Sequence, residues 1–271
     1  MALIELTGIS RHYGEGEALV KALDGVDLTI EQGSLVALLG PSGSGKTTLL
    51  NTVAALDTPT SGSYMFDGAE VPLSKVEPMT TFRRENVGYI FQFFNLLADL
   101  TALENILLVQ QLAGNKDKAR AEHLLKAVGL EGLENRFPAQ MSGGQRQRVA
   151  IARALAKTPR LLLGDELTGN LDTKTSKQVM EVLIDICRKE NVTLIFVTHD
   201  SKLTNYADRI ISLDSGKIVS DEVGPLKQVI GQSKDHARRV VQDAKSEVLK
   251  VKNKVAGKIS ETVKTIQDLK G

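Results

Sequence analysis

Cysteine is nearly absent: Cys187 is the one thiol in 271 residues. An internal disulfide is therefore excluded, and the composition fits a reducing cytosol. Cys187 reads as a structural thiol. No run reaches the ~18 consecutive apolar residues of a spanning helix, so the chain is not expected to cross a membrane by itself. The opening segment lacks an apolar core and carries Glu5, Arg11, Glu15, Glu17 and Lys21, so no secretory leader is expected. The four histidines show no paired metal-ligand spacing, which argues against a metal site built by the protein alone. Internal repeats and low-complexity linkers are missing too. What remains is 42% apolar and 25% charged residues, the make-up of an ordinary folded protein. The length fits one large domain, or one domain plus an appendage.

Neither sign of charge dominates, with 34 Lys or Arg against 33 Asp or Glu. The balance hides an asymmetry. From Pro225 to Gly271 there are eleven basic and five acidic residues, a net of +6, which leaves 23 against 28, or −5, for the body. The tail also lacks aromatics and has only Pro225, Gly231, Gly257 and Gly271 as breakers. A boundary near Ser220–Pro225 follows.

The body alternates short apolar runs with helical patterns. Strands are expected at Ser34–Leu39, Val87–Phe91, Arg160–Gly164 and Val192–Thr198. Helices are expected at Lys46–Ala55, Lys116–Val128, Gln145–Ala156 and Ser176–Lys189. Such alternation predicts an α/β fold with a mostly parallel sheet covered on both faces. Ligands of such sheets bind beyond the carboxyl ends of the strands.

One of those ends carries Gly40-Pro41-Ser42-Gly43-Ser44-Gly45-Lys46-Thr47, which fits G-x-x-x-x-G-K-[ST] between a strand and a helix. The glycines let the backbone curl so that several N–H groups face one anion. The helix that starts near Gly45 adds the positive end of its dipole. Lys46 would place its ammonium on the β- and γ-phosphates of a nucleotide. Thr47 offers a hydroxyl to Mg²⁺, and Thr48 can bond the α-phosphate. A glycine-rich turn alone would not be expected to match all four fixed positions in this context.

Other strand ends complete the pattern. Asp165 follows Arg160–Gly164, where a carboxylate can hold a Mg²⁺-bound water, and Glu166 would act as general base for a water at the γ-phosphate. His199 ends Val192–Thr198 and could orient that water. Gln92 follows Val87–Phe91 and could reach both Mg²⁺ and the water. Each of these taken singly is an ordinary turn or strand-end residue.

Met141-Ser142-Gly143-Gly144-Gln145-Arg146-Gln147-Arg148 opens a helix. Ser142 and Gln145 make a capping box, and the same residues make a second anion site. The order of phosphate loop, Gln92, Ser142-Gly143-Gly144-Gln145, Asp165-Glu166, Gly169-Asn170-Leu171-Asp172 and His199 resembles the nucleotide-binding subunit of ATP-binding-cassette (ABC) transporters over Ala2–Val219. The resemblance implies a P-loop NTPase fold with a RecA-like core sheet and an inserted helical subdomain near 93–158, within a domain of residues 1–222. It implies ATP and Mg²⁺ as cofactors, and ATP hydrolysis. It further implies a homodimer, head to tail, with each ATP between Lys46 of one subunit and Ser142, Gly143 and Gly144 of the other. Asp172 would lie on the loop crossing that interface. Tyr13 matches the adenine-stacking aromatic, with Val20 beside it. Phe93-Phe94-Asn95-Leu96-Leu97 would line a cleft for the coupling helix of an integral membrane permease, which places the protein on the cytoplasmic face of the membrane. Local phrases such as Leu56-Asp57-Thr58-Pro59-Thr60-Ser61-Gly62 are similar to the lipoprotein-releasing, macrolide-efflux and cell-division group.

Two residues depart from the family pattern. Leu167 stands where proline is usual, which would leave Glu166 less rigidly held. Gly164 before Asp165 is expected to be sterically harmless. The tail, residues 223–271, repeats its apolar residues from Ala237 to Ile266 every 3.6 positions, the period of a straight amphipathic helix. It could pack on the body or a partner, lie on an anionic membrane, or stay solvated. The alternative to a transport ATPase is a soluble cassette ATPase that uses the basic tail on nucleic acid or ribosomes. Such relatives carry paired cassettes or long coiled coils, absent here, so no nucleic acid partner is expected.

Overall fold

The protein is seen in a computed structural model that describes residues 1–73, 75–169 and 171–226. The helical reading of the tail, from residue 227 onward, lies outside the described residues. The chain opens with β1 (Ala2–Tyr13), β2 (Val20–Glu31) and β3 (Leu35–Leu39), then α1 (Lys46–Val53), β4 (Ser61–Phe66) and β5 (Ala69–Glu70). Next come α2 (Val76–Asn86), β6 (Val87–Ile90), α3 (Ala102–Leu112), α4 (Lys118–Ala127) and α5 (Gly143–Leu155). It closes with β7 (Leu161–Gly164), α6 (Thr173–Lys189), β8 (Thr193–Val197), β9 (Arg209–Asp214) and β10 (Lys217–Val223).

The central sheet has six strands in the order β10-β9-β3-β8-β7-β6. All its pairings are parallel except the edge pair β9–β10. Strand β3 is apolar throughout, and β7 and β8 nearly so, because both faces are covered. Leu35, Ala37, Leu162, Leu194 and Phe196 face a cluster built with α3, α4, α5 and α6. Val36, Leu38, Leu161, Leu163 and Ile195 face the opposite cluster. That second cluster is closed by α1, α2 and a separate antiparallel sheet of four strands, β2-β1-β4-β5.

The four expected strands and four expected helices are present, shifted by no more than three residues at any end. The antiparallel sheet was not anticipated. Its long strands β1 and β2 pair with several register shifts. Each bulge breaks the alternation of inward and outward side chains, so period-2 reading fails there. In α6, by contrast, Val179, Met180, Leu183, Ile186 and Cys187 are buried along one face, as helical periodicity predicts. Cys187 is part of this core, and burial pushes its thiol up to about 12.

Candidate active site

The phosphate loop joins the centre of the parallel sheet to α1. Gly40 has φ +145° and Gly45 φ +103°, both in the region that L side chains avoid. A Cβ on Gly40 would meet the Leu213 carbonyl and stand 2.6 Å from Ser44 Oγ. A Cβ on Gly45 would run into the Ala22 carbonyl. Glycine is therefore needed twice, for conformation and for space. The loop wraps round the buried Lys46, whose Nζ donates to the carbonyls of Gly40 (3.0 Å) and Pro41 (2.7 Å). Burial lowers the pKa of this ammonium, while Glu166 and Asp165 raise it.

The acidic pair sits at the end of β7, beside the loop. Thr47 Oγ1 donates to Asp165 Oδ2 at 3.2 Å. Burial holds the Asp165 carboxyl above its ordinary range; Thr47 opposes that shift and Glu166 adds to it. Glu166 has φ +47°, unusual for a residue with a side chain. Its carboxylate lies between two strand-end residues: Gln92 Nε2 donates to Oε2 at 2.5 Å, and His199 Nε2 is 2.9 Å from Oε1. Glu166 and His199 stand between two cavities. One, about 340 Å³, is lined by Val20, Ser42, Gly43, Gly45, Lys46, Thr47 and Thr48 among others. The other, about 310 Å³, is lined by Thr168, Gly169, Leu171, Ser176 and Asp200.

These features make an anion cradle beside a carboxylate cluster, a layout suited to holding a nucleotide phosphate chain and a water. A family model, that of the ABC transporter, matches residues 23–169. The chain belongs to the ABC transporter family. It is an ATP-binding, ATP-hydrolysing subunit of the kind that drives a transporter permease. It is 45% identical over 223 residues to the lipoprotein-releasing system ATP-binding protein LolD of Geobacter metallireducens, covering 81% of this chain and 99% of the relative. It is 46% identical over 222 residues to the macrolide export ATP-binding/permease protein MacB 1 of Aeromonas hydrophila. There the match covers 81% of this chain but only 34% of the much longer relative. Among solved structures, the cassette MJ0796, captured as a dimer in a post-hydrolysis state with ADP and Pi, aligns with TM-score 0.75 at 38% identity. That alignment covers 81% of this chain and 98% of MJ0796.

Elsewhere on this ABC subunit, the Ser142 segment caps α5. Ser142 Oγ accepts from Gln145 N at 3.3 Å, and Gln145 Oε1 accepts from Ser142 N at 2.9 Å. Gly144 approaches α6 closely: a Cβ there would be 2.5 Å from Thr175 Cγ2, so one side or the other would have to shift. None of Ser142, Gly143, Gly144 or Gln145 lines the cavity of the phosphate loop. Asp172 caps α6, accepting from Lys174 N and Thr175 N at 3.1 and 3.0 Å. Asp before a helical run is a common start signal, so this cap is legible in the sequence. Tyr13 is half-exposed and pairs in register with Val20. The Arg11 guanidinium lies over its ring at 4.5 Å, and its hydroxyl donates to Asp57, which also pairs with Arg11 at 2.8 Å.

The run after Gln92 is only partly exposed. Phe93 is 72% exposed, whereas Leu96 packs on the core. Arg153 of α5 donates to the carbonyls of Phe94 and Asn95, and Arg146 lies over the Phe94 ring. Arg146 thus packs against this loop. Two adjoining cavities, about 260 and 450 Å³, share Val87, Tyr89, Phe91, Val109 and Lys157.

Glycine at 164 fits its place, but a side chain there would not. A Cβ there would stand 2.6 Å from Leu167 Cγ. Leu167 occupies that space because its side chain turns back into the core instead of outward.

Proposed function

We propose that this chain is the ATPase of a system whose permease is a separate integral membrane protein, and that it works at the cytoplasmic face of the membrane. The reading covers export, extraction and mechanical transmission, in line with the lipoprotein-releasing and macrolide-export names of its relatives. Among the described residues no helix is long and apolar enough to cross a membrane, so the spanning part would come from a partner. The groove along Tyr89, Phe91 and Val109, beside the exposed Phe93, supports docking of an amphipathic segment of that partner.

The observation that carries the mechanism is the Glu166 carboxylate, held by Gln92 and His199 at the mouth of the phosphate loop. In this reading Lys46 leaves the loop carbonyls for the β- and γ-phosphates, and Thr48 bonds the α-phosphate. Glu166 takes a proton from the attacking water, while His199 and Gln92 orient it. Thr47 and Asp165 present facing oxygens, a donor set suited to a hard cation, and with Gln92 they would hold Mg²⁺. When bound, Mg²⁺ would neutralise charge on the β- and γ-phosphates. Tyr13 and Val20 would receive the adenine. Ser142, Gly143, Gly144 and Gln145 do not line the cavity of their own phosphate loop, which supports their use by a second subunit in a head-to-tail homodimer with Asp172 at the seam. The dimeric MJ0796 cassette supports the same arrangement.

The test is Glu166→Gln in the full chain. ATP binding is expected to persist while phosphate release falls about 10²- to 10⁴-fold. Light scattering should then show an ATP-dependent dimer, and purification from membranes should bring down a multi-span protein. A variant that stays monomeric with ATP, or retains normal turnover, would sink the mechanism. Co-purification of ribosomes or nucleic acid alone would sink the transport reading.

A further inference from the structure

Gly164 and Leu167 bracket Asp165 and Glu166. Gly164 is the last residue of β7 and pairs on both sides, with Ile90 of β6 and Phe196 of β8, so its backbone is fixed. A Cβ at this position would stand 2.6 Å from Leu167 Cγ and 2.9 Å from Cδ1. Ordinary contacts between carbons are about 3.5–4.0 Å. Leu167 has little room to swing aside, since it is 3% exposed and belongs to the core cluster under α5 and α6. Its isobutyl group fills the space that a side chain at 164 would take. Between the two, Glu166 holds φ +47°. A non-glycine residue keeps such a conformation only where its surroundings over-determine it. Neither Gly164 nor Leu167 lines the two cavities that Glu166 separates.

We propose that Gly164 and Leu167 are a size-matched pair of positioning residues, which together lock the turn that presents the Glu166 carboxylate to Gln92 and His199. The inference rests on the reading of Glu166 as general base. The small residue and the large one are a single feature: Leu167 gives the turn by core packing the stiffness that a proline gives by its ring. Enlarging one member therefore requires shrinking the other.

The test uses the full chain with Gly164→Ala, Leu167→Ala, the double variant, and Gly164→Ala combined with Glu166→Gln. Gly164→Ala should lower kcat about tenfold or more, since small misplacements of reacting groups are costly, with ATP Kd within about twofold. Adding Leu167→Ala removes Cγ and both Cδ atoms and should recover kcat to within about threefold of Leu167→Ala alone. In the Glu166→Gln background, Gly164→Ala should cause no further loss, because the residue it acts through is gone. Unchanged kcat in folded Gly164→Ala would overturn the proposal. So would a double variant no better than the product of the single losses, or a full loss persisting without Glu166. If Gly164→Ala does not fold, the double variant decides: it should fold and turn over like Leu167→Ala, and failure to do either overturns the pairing. Wild-type turnover in Glu166→Gln alone would instead refute the base assignment, which separates the two failures.

Discussion

Lys157 carries the clearest pH signature at the scale of single residues. Burial, with Arg83 and Arg84 close by, brings its ammonium from 10.5 down to about 8. Between those values the unfolded chain still holds a proton that the folded chain has released, so this residue makes stability rise with pH across that window. Lys157→Met should therefore raise Tm at pH 7, with the gain shrinking toward pH 10; a gain that grows with pH would contradict the assignment. Lys46 makes a second case. Lys46→Ala leaves a loop with no cation for the phosphates, and ATP affinity by calorimetry should fall at least about tenfold, the cost of one charge-assisted contact. Lys46, Asp165, Glu166 and His199 were all readable from motif and strand end. The bracing of Tyr13 by Arg11 and Asp57 was not, because Tyr13 and Asp57 are 44 positions apart and meet only in the folded chain. The interlock of Gly164 with Leu167 was missed for a related reason: sequence shows the size of each residue but not the direction in which Leu167 turns.

Among the elements, α5 links two parts of the molecule. Its first turn carries the Ser142–Gln145 cap, and its last turn carries Arg153, which holds the loop after Gln92. One helix therefore touches both the Ser142 segment and the loop after Gln92. The same helix approaches α6 at Gly144, where a Cβ would strike Thr175. Overpacking of this kind costs about 1–3 kcal/mol, so Gly144→Ala should lower Tm by several degrees, and Thr175→Ser should restore most of the loss. Equal Tm values for Gly144→Ala and the wild type would refute the close approach. Helices with an unbroken apolar face, such as α6, were legible. The bulged strands β1 and β2 were not, because their inward residues do not alternate.

At the scale of the whole molecule, the proposed head-to-tail dimer would bring the Ser142 segment to the nucleotide of a second subunit. Ser142→Arg should keep ATP affinity within about threefold, since its own phosphate loop is untouched, yet show no ATP-dependent dimer in light scattering. A normal dimer would rule out the head-to-tail seam. The sequence by itself determined which residues stand at the strand ends beside the phosphate loop: the acidic pair, Gln92 and His199 each follow a strand closely, and that placement is local. It also determined the alternation of strand and helix, because burial on both faces leaves an apolar run. Only the tertiary structure decided what distant segments do to one another. It set the antiparallel sheet over one face, Arg11 on the ring of Tyr13, and Leu167 in the space beside Gly164. The physical reason is that steric exclusion and pairing geometry act between atoms near in space, and sequence order does not record that nearness.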